Sequence, residues 1–95
     1  MGGRLWRDAS DRLTCDWPGV EAVGYPTSCR ALADAFGLAP VGELVVGLDA
    51  MFRDFERGGQ VVGLAWDIWM GFTAVAKSVA SEPLIRDIAV WLGKE

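Results

Sequence analysis

Between Gly63 and Gly71 the chain reads Gly-Leu-Ala-Trp-Asp-Ile-Trp-Met-Gly, and the conformation of this stretch decides whether the molecule contains a sheet at all. Two periodicities compete. As strands, Val62, Leu64 and Trp66 share one face and Gly63, Ala65 and Asp67 the other, while Phe72, Ala74 and Ala76 alternate with Thr73, Val75 and Lys77. Asp67 to Gly71 is then a hairpin loop, with Asp67 accepting from backbone N–H groups and Gly71 free to take positive φ. As a helix, Val61, Leu64, Ala65, Ile68, Phe72, Val75, Ala76 and Val79 form one stripe. Valine, threonine and tryptophan favour strands. Gly63 and Gly71 would each weaken a helix by about 1 kcal/mol relative to Ala. A hairpin over 61–78 is therefore the expectation; the helix would make the chain a small all-α bundle.

The flanking sequence reads mainly as helix. Over residues 4–15, Leu5, Ala9 and Leu13 fall on one face with Trp6 beside them, Asp8 and Arg12 stand four apart, and Pro18-Gly19 is the stop. Val20 to Tyr25 reads as a short edge strand or extended connection ended by Pro26. Thr27 or Ser28 caps a second helix that buries Leu32, Ala33, Phe36 and Leu38 and ends at Gly37. From Val41 to about Arg57, Leu44, Val45, Leu48, Met51, Phe52 and Phe55 repeat at three and four residues, with Asp49 and Arg53 paired on the outer face and Gly58-Gly59 as terminator. Ser81 and Pro83 open a last helix carrying Leu84, Ile85, Ile88, Ala89, Trp91 and Leu92, and Gly93-Lys94-Glu95 follows it. The predicted fold is α+β, one domain over 1–95, with about four helices around a small antiparallel hairpin.

Ninety-five residues make one domain. A chain of this size buries roughly 60% of its unfolded surface, enough for a core without disulfides or metals. Five Trp and four Phe are a heavy aromatic load, so most belong in that core. A net charge of −4 argues against nucleic acid, which needs clustered Lys and Arg. Met1-Gly2-Gly3-Arg4 leads into charged sequence, unlike a signal peptide. The longest apolar stretch, Val61 to Val79, is interrupted by Asp67 and Lys77. Cys15 and Cys29 read as buried thiols of a cytoplasmic protein. The expectation is a cytoplasmic chain with no membrane, metal or cofactor.

The absence of histidine removes the imidazole base, the Ser-His-Asp and Cys-His pairs and His-bound metals. Gly58-Gly59-Gln60 lacks phosphate-loop spacing. Asp49 and Asp54 read as a solvated helix face, and Glu82 as a first-turn acid complementing the helix dipole. Cys29 opens a helix whose dipole could lower a thiol pKa, with Arg30 alongside. Asp67 stands between two indoles. It is either a turn-capping Asp anchored by Trp66 and Trp69, or a part-buried carboxylate that grips a cationic group. Trp66, Asp67 and Trp69 are accordingly the candidate binding residues.

Small size, acidity and aromatic richness resemble, in a general way, bacterial immunity and antitoxin-type proteins, which implies a binding role. The functional expectation is a non-enzymatic interaction domain that presents aromatic and acidic surface near the hairpin to a protein partner or a second copy. The alternative is a small-ligand domain or carboxylate enzyme with Asp67 at the mouth of a pocket between the helices and the hairpin.

Overall fold

The computed structural model describes residues 4–17 and 19–93. The order is β1 (Arg4–Arg7), β2 (Leu13–Trp17), a 3-10 turn (Ala22–Gly24), α1 (Tyr25–Phe36), β3 (Ala39–Val46), β4 (Ala50–Arg57), β5 (Gln60–Asp67), β6 (Gly71–Ala76), a second 3-10 turn (Val79–Ser81) and α2 (Glu82–Gly93). The strands form one antiparallel sheet in the order β1-β2-β6-β5-β4-β3. The α+β class fits this architecture, but the expectation of about four helices is wrong: a six-stranded sheet carries two.

The first misread helix fails because a spacing of four satisfies a strand as well as a helix. Leu5 and Leu13 lie on one face of the β1–β2 hairpin, with Leu5 opposite Cys15. Asp8 and Arg12 do form their pair at 3.1 Å, but across the hairpin loop. There Asp8 Oδ1 accepts from the N–H groups of Ser10 and Arg12, both at 2.9 Å, and Asp11 takes φ 61°. In the 41–57 segment the three-residue steps from Val45 to Leu48 and from Leu48 to Met51 straddle a turn at Gly47, whose N–H donates to Ala50 O at 2.7 Å. The expected Asp49–Arg53 pair is absent, and Arg53 Nε donates to Gly42 O at 3.1 Å instead. Gly42 takes φ 77° in a β3 bulge that shifts the register between Val41 and Val45.

The other boundaries moved less. Residues 20–25, expected as a short edge strand or extended connection, hold the first 3-10 turn, and Pro26 lies in the first turn of α1 rather than ending a strand. Gly37 stops α1 at φ 67° as expected. Ser81 closes a 3-10 turn, its Oγ 3.0 Å from Ser78 Oγ. The 61–78 segment is the hairpin of β5 and β6. Pro18, residues 1–3, Lys94 and Glu95 lie outside the described residues.

Both helices pack on one face of the sheet, α2 over β1, β2 and β6 and α1 over β5. The core joins Leu13 and Cys15, Phe55, Val62 and Leu64, and Phe72, Ala74 and Ala76 to Tyr25, Leu32, Leu84, Ile85, Ile88 and Leu92. Trp17 packs edge-on against Phe72 at 5.7 Å and Trp91 at 5.8 Å, and Phe36 meets Trp91 at 6.1 Å. The Tyr25 hydroxyl donates to Leu64 O at 2.6 Å, fixing α1 on β5. Arg7 reaches Glu82 with both terminal nitrogens, at 2.7 and 3.2 Å, and ties β1 to the first turn of α2. β3 lies at the sheet edge beyond the helices, exposed along its whole length. No described helix is long and apolar enough to cross a membrane.

Candidate functional site

The β5–β6 hairpin sends the two candidate tryptophans to opposite environments. Trp66 faces the helices, opposite Phe72 and Met51, and packs against the core. Its indole Nε1 donates to Val20 O at 2.8 Å, satisfying the one polar atom it buries. Asp67 ends β5, and its Oδ1 accepts from the N–H groups of Trp69 (2.9 Å) and Met70 (2.6 Å). Gly71, at φ 74°, completes the turn. Trp69 stands at the tip, 80% exposed, between exposed Ile68 and Met70. The three candidates are therefore one structural anchor, one turn acceptor and one free indole.

A second hairpin tip meets this one. Ile68 N–H donates to Asp49 O at 3.0 Å, which holds the β3–β4 turn against the β5–β6 turn. Leu48 is fully exposed and Val46 is 64% exposed. Val46, Leu48, Ile68, Trp69 and Met70 thus gather at one end of the sheet. Single exposed apolar residues are ordinary, but a cluster of five large ones is a mark of an interaction surface. Sequence reasoning missed Val46 and Leu48 because Leu48 was assigned to a buried helical stripe and Val46 fell inside the same expected helix. Gly47, followed by Leu48-Asp49, was the turn signal that could have found them.

Asp67 also borders a shallow depression of about 360 Å³ on the sheet face opposite the helices, together with Phe52, Asp54, Gly63 and Lys77. Gly63 is what lets Lys77 cross β5 to reach Asp54 at 3.6 Å, since a Cβ there would stand 2.8 Å from Lys77 Cε and 3.1 Å from Val75 Cγ1. The remaining carboxylates do not converge: Asp49 is at the β3–β4 tip, Asp54 meets Lys77 and Glu82 meets Arg7. Among the described residues no group of three or more Cys, Asp and Glu side chains could hold a metal ion.

Cys29 does not open α1 but is its fifth residue, and it is buried; burial pushes its thiol above the ordinary value despite the Tyr25 hydroxyl and the Arg53 charge acting the other way. Cys15, wholly inaccessible, is pushed up to about 12 by burial and then by the neighbouring Asp16 charge. Both thiols are free and protonated at neutral pH, the opposite of an activated nucleophile. No protein-family model, no curated protein and no solved structure matches this chain.

Proposed function

We propose that the chain is a non-enzymatic protein-interaction domain that works through the apolar end of its sheet, where the β3–β4 and β5–β6 tips meet. The observation that carries this reading is Trp69, an indole held 80% in solvent by an ordered turn rather than by a loose loop. Tryptophan is the residue type most enriched at binding hot spots, where it buries a large rigid surface at low conformational cost. Asp67 serves by shaping the turn, and Trp66 by anchoring β5 to the core.

A photo-crosslinking side chain at position 69 tests the reading in cells, with position 90 as control because Val90 is exposed on α2 rather than on a hairpin tip. A defined protein adduct at 69 that is absent at 90 supports it. Equal or absent adducts at the two positions refute it.

A further inference from the structure

α1 and the β3–β4 hairpin flank a groove of about 290 Å³ with an apolar lining that includes Cys29, Ala33, Leu44 and Phe55. This is at the lower end of the size of sites that engulf a small organic ligand, and it suits one or two side chains of a larger partner. Arg30 borders it from the helix and Arg53 from the strand. Among the described residues neither guanidinium belongs to an ion pair, and no acidic side chain lines the groove. Arg53 spends only Nε on Gly42 O, leaving its two terminal nitrogens for another acceptor. An apolar slot between two arginines selects an apolar side chain accompanied by a carboxylate.

The chain itself carries that combination. Leu48 is fully exposed at the β3–β4 tip, and the next residue, Asp49, is exposed with no side-chain hydrogen bond or ion pair among the described residues. Val46 lies opposite Met51 on the helix-side face of β3, two residues from groove-lining Leu44 on one side and two from Leu48 on the other. Because β3 ends at Val46 and turns at Gly47, tip and groove lie side by side on one protomer, and a two-fold axis between them sets each tip on the other copy's groove, as an isologous interface requires. Addition along the β3 edge is the weaker option, because Pro40 and the Gly42 bulge interrupt it.

We infer that two copies of this chain dock through these faces, each Leu48-Asp49 tip seated in the other's groove between Arg30 and Arg53. The inference rests on the reading of the tips as an interaction surface and names the partner. Charge exchange tests it by sedimentation velocity on the full chain. The wild type dimerises, while Arg30→Glu/Arg53→Glu and Asp49→Arg, each folded by circular dichroism, self-associate at least about tenfold more weakly. An equimolar mixture of the two variants regains the wild-type affinity, since both reciprocal contacts again join opposite charges. Asp49→Arg, on an exposed turn, carries the test alone if the double substitution disturbs β4. A monomeric wild type, or a dimer indifferent to these substitutions, overturns the inference. The broader reading fails separately, by the absence of a specific adduct at position 69.

Discussion

Trp66 and Trp69 are the same residue type three positions apart, and truncating each to Ala should give opposite results. Trp66→Ala removes an indole packed on the core and strands Val20 O, which accepts its N–H at 2.8 Å. Losing much of a large aromatic from the interior costs about 3 kcal/mol, and losing the hydrogen bond adds about 1 kcal/mol. For a domain of 95 residues, about 4 kcal/mol lowers the melting temperature by roughly 16 °C or more. Trp69→Ala removes a side chain that is 80% exposed, so stability should change by no more than about 0.5 kcal/mol. Urea unfolding followed by circular dichroism, backed by thermal melts, measures both. Equal losses would refute the argument, because in a helix residues i and i+3 share a face whereas in this hairpin one turns inward and the other caps the tip. A Trp69→Ala loss above about 1 kcal/mol would likewise refute the placement of Trp69 in solvent.

Three further outcomes are expected. Arg7 holds the Glu82 carboxyl below its ordinary value, so this contact contributes stability above 4.5 that is lost as pH falls through the depressed folded value; urea midpoints should drop in acid, and less so in Glu82→Gln. The Cys15 thiol is raised from 9.0 to about 12, so stability is full below 9.0 and lost as pH rises toward 12; Cys15→Ala should flatten that alkaline slope, and a thiol reagent should label Cys15 only as fast as the protein unfolds. Gly37 closes α1 in the left-handed region at φ 67°, and Gly37→Ala should cost about 1 kcal/mol in equilibrium unfolding, with no steric clash to add since nothing stands within 4 Å of the new Cβ.

The parts of the fold that were legible in the sequence are those where local chemistry admits one answer. Gly37 ends a helix because only that residue takes the left-handed turn without strain. Asp67 and Gly71 close a hairpin because a short carboxylate can accept from the next backbone N–H groups. Most of the aromatics were expected in the core: Trp17, Trp66, Trp91 and Phe36 pack against it, and of the five tryptophans only Trp69 is largely exposed. The proposed interaction surface was half visible, since Trp69 was named while Leu48 and Val46 were assigned to a helix.

What the sequence determined by itself was a helix ending at Gly37, a last helix opening around Glu82 and a chemistry without imidazole, with a hairpin across 61–78 favoured over a helix. Only the tertiary structure decided that residues 4–17 and 39–57 are strands. Intervals of four suit a helix and a pleated strand alike, and the three-residue steps around Leu48 are broken by the Gly47 turn, so the choice passed to pairing. β2 is held between β1 and β6, and β4 between β3 and β5. Those ladders gave the backbone its hydrogen bonds, and in doing so carried Leu48 out of the predicted core and set it beside Trp69's turn at the open end of the sheet.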